Sequence, residues 1–261
     1  RLLRDFGADV ILVVSADAPY RLDYRDVVDA HLDTGADVTM VTTEVDEDAS
    51  RFGVVTVAGD GRVTAFAYKP DDPPGDLVTM EVFAYRPSAL LGTLADLAEG
   101  GEALAEFGNG LLPRMVAGGR AFEHRHTGYW RDVGTPESYW RAHQELLHGE
   151  GIELDDPAWR VRTSGGHRPP ARVLRSASVE DSLLSPACVV AGRVSESVLS
   201  PGVVVEAGAV VDRAVILHDA VIRAGARVER AIVDAGVEVT AGTQSRGGGD
   251  DREGAVAVVS G

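Results

Sequence analysis

Residues 196–208 read Glu-Ser-Val-Leu-Ser-Pro-Gly-Val-Val-Val-Glu-Ala-Gly, and residues 213–225 read Arg-Ala-Val-Ile-Leu-His-Asp-Ala-Val-Ile-Arg-Ala-Gly. Two more segments align with them, Asp181–Gly192 and Arg230–Gly242, so that the four starts lie 15, 17 and 17 residues apart. Each carries an apolar-x-Ala-Gly element, at Val189, Val205, Ile222 and Val239. Three hexads make ~18 residues, so this period approximates one triangular coil of a hexapeptide-repeat β-helix. Gly, Ala, Ser and Pro suit the tight corners. A single coil cannot bury its inward Val, Leu and Ile, so the coils must stack. A run of short antiparallel strands is the other reading of such a pattern. The regular Ala-Gly phase favours the β-helix, expected over 173–246.

The residues before the repeat follow a different rule. Val10–Val14 is a short β-branched run that predicts a strand buried on both faces. A helix is expected from about Tyr20 to Asp33, with Tyr24, Val27, Val28 and Leu32 inward and Gly35 closing it. A strand at 37–45 completes a β-α-β order, which predicts a parallel pair. Phe52–Val57 and Arg62–Tyr68 flank Ala58-Gly59-Asp60-Gly61 and read as a hairpin. Further strands are expected at 77–85 and 121–126, and helices near 87–99 and 109–117. His124 and His126 alternate on the 121–126 strand and read as surface residues. Thr135-Pro136 opens a last helix with Thr as N-cap and Pro at the first position. Its apolar face is expected to be Tyr139, His143, Leu146 and Leu147. The domain division is therefore 1–148, a linker at 149–172 rich in Pro and Gly, the coils at 173–246, and a disordered tail at 247–261.

Composition limits the function classes. The chain has 261 residues, 44% hydrophobic and 25% charged, with 25 Lys plus Arg against 41 Asp plus Glu and a formal charge of −16. This is globular composition. Such acidity argues against nucleic acid and against an anionic membrane surface, and no apolar run is long enough to span a bilayer. The single cysteine, Cys188, cannot form an internal disulfide, and no secretory leader is evident, so a cytoplasmic location is expected. Residue 1 is Arg, which suggests part of a longer or processed product. Lys69 is the one lysine among 25 basic residues, and it stands out as a place for a compact ammonium.

Two acids complete the candidate chemistry. Asp17 follows the first strand, where ligands sit in α/β sheets, and Asp132 lies in Tyr129-Trp130-Arg131-Asp132-Val133-Gly134-Thr135 before a capped helix. Either could be a helix cap or turn residue. Together they could bracket a divalent cation while Lys69 neutralises a phosphate, which is metal-assisted chemistry on a phosphate ester.

On these residues the chain resembles the bacterial glucose-1-phosphate adenylyltransferase (ADP-glucose pyrophosphorylase) family over roughly 1–245. Ala16-Asp17-Ala18-Pro19-Tyr20 is similar to that family's Gly-Asp-His-x-Tyr. Phe52-Gly53-Val54 and Tyr68-Lys69-Pro70 resemble its Phe-Gly-Val and Glu-Lys-Pro. Tyr129–Thr135 matches its Tyr-Trp-Arg-Asp-Val-Gly-Thr letter for letter, and Trp159–Thr163 resembles its linker element. The resemblance implies an α/β fold: an incomplete Rossmann-like nucleotidyltransferase sheet followed by a left-handed hexapeptide-repeat β-helix. It implies Mg²⁺ held by Asp17 and Asp132, the catalytic acids, with Lys69 on the sugar phosphate. Thr79, Glu81 and Trp130 join the substrate-binding set. The reaction implied is ATP plus glucose 1-phosphate giving ADP-glucose and pyrophosphate, in glycogen synthesis, by a homo-oligomer that is tetrameric in the family.

The departures are specific. Ala18 replaces the family His, Tyr68 replaces the Glu before the lysine, and Thr79-Met80-Glu81 stands for Ser-Met-Gly. Glu106-Phe107-Gly108-Asn109-Gly110 stands for Asp-Phe-Gly-Lys-Asp, and the family's Gly-rich nucleotide loop has no counterpart. The 261-residue chain is therefore expected to turn over little by itself. Two other readings stay open. One is a non-catalytic regulatory subunit of the same family. The other is a hexapeptide-repeat acyltransferase with His218 as general base. A metal hydrolase built on the same acids lacks a His-rich ligand set.

Overall fold

The computed structural model describes residues 5–100, 108–163, 165–242, 244–246 (backbone alone) and 255–261. They divide into two compact units, Arg1–Trp130 and Arg131–Gly261. No helix among the described residues is long and apolar enough to cross a membrane.

The first unit is a six-stranded mixed sheet. Its strands are β1 (Ile11–Val14), β2 (Val38–Glu44), β3 (Gly53–Val57), β4 (Val63–Tyr68), β5 (Leu77–Tyr85) and β6 (Ala121–Arg125), with helices α1 (Tyr24–Thr34), α2 (Pro87–Glu99) and α3 (Leu111–Ala117). The order is β4-β3-β5-β2-β6, with β1 also on β5. The hairpin forms as expected, with Gly53 opposite Tyr68. The parallel pair of β1 and β2 does not form. Both strands run antiparallel to β5, Val14 meeting Val82 and Met40 meeting Phe83, so they point the same way with β5 between them. Nor is β1 buried on both faces, since Val13 and Val14 are exposed. Among the described residues it pairs only with β5, so the rule for interior parallel strands does not apply to it.

Helix α1 starts later than expected. Asp23 caps it by accepting from Arg25 N–H at 3.0 Å, and Tyr20 instead forms a β-bridge with Trp130. Its buried residues are Val27 and His31, one turn apart, while Leu32 is exposed. The His31 ring meets Thr39 Oγ1 at 2.9 Å, which satisfies one polar atom of a side chain that apolar counting would leave outside. His126 is also buried, contrary to the surface reading; its N–H donates to Thr42 O, and its ring faces Tyr129 O at 3.3 Å.

The second unit is a β-helix of five coils. Three five-stranded parallel sheets run along it, and each coil adds one short strand to each sheet. Val189 pairs with Val204, Val204 with Val221 and Val221 with Glu238. The repeat therefore reaches one coil further upstream than the four aligned segments, beginning with the strand Arg172–Val173. It also extends into the region expected to be a disordered tail: Ala257–Val259 is a strand paired with Ala231–Val233. The other residues of that expectation, 247–254, lie outside the described residues. The interior is stacked Val, Leu, Ile and Ala, with Cys188 among them. Gly208 and Gly225 turn the Ala-Gly corners with φ of 82° and 80°, which is why glycine recurs there. Another corner holds Asp181, Glu196, Arg213 and Arg230 at φ of 41–45° in successive coils.

Helix α4 (Pro136–Leu147) packs with this second unit. Its buried residues are Ser138, Trp140 and Gln144, not the Tyr139–Leu147 face expected from apolar spacing. Trp140 Nε1 donates to Arg213 O at 2.7 Å, and Gln144 donates to Glu196 O at 3.2 Å. Helical rise of ~5 Å per turn matches coil spacing of ~4.8 Å, so successive turns meet successive coils.

Candidate functional site

In the first unit the candidate residues gather around the middle of β5. Between Met40–Phe83 and Thr42–Thr79 the register jumps, leaving Met80, Glu81 and Val82 opposite Val41 alone. This bulge puts Glu81 in the left-handed region, φ 56°, where the resembling family carries glycine. Bulges of this kind re-aim side chains beside functional sites. Glu81 O accepts from Ser15 N–H at 3.0 Å, and the Ser15 hydroxyl donates to Asp17 Oδ1. Asp17 itself is exposed, three residues beyond β1.

Phe52 ties the other residues together. Its carbonyl accepts from Lys69 N–H at 2.9 Å, and its ring meets Trp130 edge-on at 5.5 Å. The next residue, Gly53, leaves no room for a side chain: a Cβ would lie 2.8 Å from the Phe66 ring and 2.9 Å from Thr79 Oγ1. The Phe-Gly-Val element is therefore a packing requirement that brings Thr79 against β3. Lys69 is exposed at φ 48°, with Nζ 5.0 Å from the centre of the Tyr68 ring. Tyr68 in turn lies against Gly108, where a Cβ would come within 2.3 Å of the ring.

Lys69, Thr79 and Trp130 are thus linked through Phe52 and Gly53, and Asp17 and Glu81 through Ser15, the two sets meeting along β5 within one unit. Two of them are less accessible than the sequence suggested. Thr79 is only 3% exposed. Trp130 packs into two core clusters, and its Nε1 is enclosed without a hydrogen-bond partner among the described residues. The bridge partner of Trp130, Tyr20, has its hydroxyl 2.8 Å from that of Tyr24, and burial raises its pKa well above the ordinary phenol range.

Asp132 lies at the start of the second unit, in the arch that precedes α4. Its carboxylate folds back over Gly134, where a Cβ would sit 3.2 Å from Oδ1. Arg131 beside it pairs with Glu145 at 2.7 Å, and both side chains are largely buried. Thr135 and Ser138 form a reciprocal capping box just beyond. Sequence reasoning missed the Arg131–Glu145 pair and Trp140; the helical spacing of Trp140 and Gln144 was the available signal. His218 sits at an exposed corner, its carbonyl accepting from Gly236 N–H.

A family described as nucleotidyl transferase matches residues 2–149, and one described as GlmU-like, C-terminal hexapeptide, matches 169–255. A protein of Thermomicrobium roseum named glucose-1-phosphate adenylyltransferase is 41% identical over 226 residues, covering 79% of this chain and 53% of that one. Proteins of the same name from Desulforamulus reducens and Bacillus thuringiensis (strain Al Hakam) are 38% and 34% identical, over 79% and 84% of this chain and 53% and 59% of theirs. The chain spans little more than half the length of these relatives.

Proposed function

The chain belongs to the nucleotidyl transferase family, and on that premise we propose that it serves sugar-nucleotide formation, joining glucose 1-phosphate to the adenylyl group of ATP. The observation that carries this reading is the linkage of Lys69, Glu81 and Asp17 through Phe52, Gly53 and the β5 bulge. A sugar-phosphate oxygen attacks the α-phosphorus of ATP, the bond to the β-phosphate breaks, and pyrophosphate leaves with the bond electrons. No covalent intermediate with the protein is needed, so catalysis is alignment and charge neutralisation. Lys69 meets the sugar phosphate, its backbone fixed by Phe52 and its ammonium held near the Tyr68 ring. Glu81 faces sugar hydroxyls. Thr79, being buried, holds a wall of the site and does not touch the sugar, and the partly buried Trp130 packs edge-on to Phe52 beside it.

The donor set fits Mg²⁺. Asp17 would offer the ion an exposed carboxylate with one oxygen engaged by Ser15, and Asp132 is the second acid that the family resemblance implies. No group of three or more His, Cys, Asp or Glu among the described residues could hold a metal. Mg²⁺ uses one or two carboxylates and completes its shell with substrate phosphates and water, so none is required. When bound, the ion would neutralise charge developing on the transferred phosphate.

Lys69→Ala is expected to cost about 1.5–3 kcal/mol of glucose 1-phosphate binding, the worth of a charge-assisted contact, by calorimetric titration. Unchanged affinity would remove Lys69 from the site. The reading extends to ADP-glucose supply for glycogen synthesis and to a homo-tetramer. A regulatory subunit is the second reading, favoured by Glu81 where the family has glycine; sugar-phosphate binding at Lys69 without turnover, even in the longer product, would support it.

A further inference from the structure

We propose that Arg131 and Trp140 are positioning residues for Asp132, so that the β-helix sets the placement of this acid. The inference rests on the reading of Asp132 as a ligand. All its geometry lies within the second unit.

The arch that carries Asp132 is closed at both ends onto α4. Upstream, Arg131 Nε reaches Glu145 Oε2 at 2.7 Å; its side chain is 13% exposed and that of Glu145 is 12% exposed. Arg141 reaches the other oxygen of Glu145 at 3.3 Å, so this carboxylate is held from two sides. Downstream, Thr135 and Ser138 each bond the other's backbone N–H. Between these anchors only Asp132, Val133 and Gly134 remain, and the Asp132 carboxylate is folded back onto Gly134. Three residues clamped at both ends have little freedom to reorient.

Helix α4 is in turn held by three coils. Glu137 accepts from Arg230 at 2.7 Å and from Val256 N–H at 3.2 Å. Trp140 donates to Arg213 O, and the Arg230 guanidinium stacks on its ring, 4.2 Å from the centre. Gln144 donates to Glu196 O. The three contacts come from Glu196, Arg213 and Arg230, left-handed residues at the same corner of successive coils, the first two accepting and Arg230 donating. The repeat therefore presents evenly spaced anchor points, and α4 transmits that spacing to the arch. In a β-helix that served only as a stacking module, nothing would require a buried ion pair beside Asp132. A residue that orients a ligand typically changes metal affinity about 10- to 100-fold when removed.

The test uses the full chain and Mn²⁺ alone as the probe, with free ion followed by electron paramagnetic resonance. Asp132→Asn should abolish the site measured. Arg131→Met should weaken Mn²⁺ about tenfold, and Arg131→Lys should fall between, since lysine keeps the charge and loses the fork. Trp140→Phe keeps the ring and loses the donor, and should weaken Mn²⁺ by less than Arg131→Met. Because Trp140→Phe and Arg131→Lys are mild, they keep the test alive if Arg131→Met fails to fold. Melting temperatures that fall while Mn²⁺ affinity holds, with Asp132→Asn still abolishing binding, would overturn the positioning role and leave the proposed function standing. Unchanged Mn²⁺ binding in Asp132→Asn would overturn both.

Discussion

In the coils, Val189 faces Val204 and Val204 faces Val221, each strand meeting the one a single turn away. In the sheet, Thr42 faces Thr79 on one side and Arg125 on the other, partners drawn from far along the chain. The coils bury their apolar residues by repetition, and their stability is close to a sum over neighbours. The sheet must close long loops before its pairings contribute. The same backbone device is also distributed differently in the two regions. Left-handed Asp181, Glu196, Arg213 and Arg230 recur at one corner of four successive coils. Left-handed Lys69 and Glu81 occur once each, both beside the candidate site.

Three measurements would break or sharpen this contrast. The largest effect is expected from Leu199→Ala, which empties a fully buried place in the coil stack. It should cost about 2–5 kcal/mol in chemical denaturation, with hydrogen-exchange protection lost most in the coils next to it. Uniform loss along all five coils would contradict nearest-neighbour stability. A smaller effect of opposite sign is expected from Glu81→Gly. Relieving a left-handed non-glycine residue should raise stability by about 1 kcal/mol, while sugar-phosphate binding changes. A drop in melting temperature would show that Glu81 is held by contacts worth more than its strain.

The smallest effect concerns pH and two histidines, one in each unit, whose pKa is lowered chiefly by burial. Burial lowers the pKa of His31, assisted by Arg86 and opposed by Asp37. Burial lowers that of His143 as well, partly offset by its bond to Tyr139 O. A folded pKa below the unfolded value of about 6.5 means that the stabilising contribution is complete above that pH. It is lost as pH falls through the window toward the folded value. Melting temperature should therefore decline below about pH 6.5, and His31→Asn should flatten that decline in the sheet signal alone. A decline of the same slope in the variant would exclude His31 as its source.

Much of the fold and part of the site could be read directly from residues. The Ala-Gly phase located the coils, the Gly59–Gly61 turn located the hairpin, and Tyr129–Thr135 located Asp132 before a capped helix. Those features are local, so a few adjacent residues carry the whole signal. The burial of His31, Trp140 and Gln144 was not legible, because each is inside by virtue of a specific polar partner: Thr39, Arg213 O and Glu196 O. Apolar spacing ranks such residues by type and cannot see the acceptor that waits for them. The strand Ala257–Val259 was missed for a related reason, since three residues form a strand only because an edge at Ala231–Val233 is available.

The sequence by itself determined the two kinds of architecture, the candidate acids and the lone lysine, through periodicity and short motifs in which neighbouring residues constrain one another. Only the tertiary structure decided that β5 separates β1 from β2, that Glu81 sits on a bulge beside Ser15 and Asp17, and that α4 is fastened to the coils. These depend on hydrogen bonds and close approaches between residues far apart in the chain, and such pairings are selected by packing of the whole unit rather than by local preference.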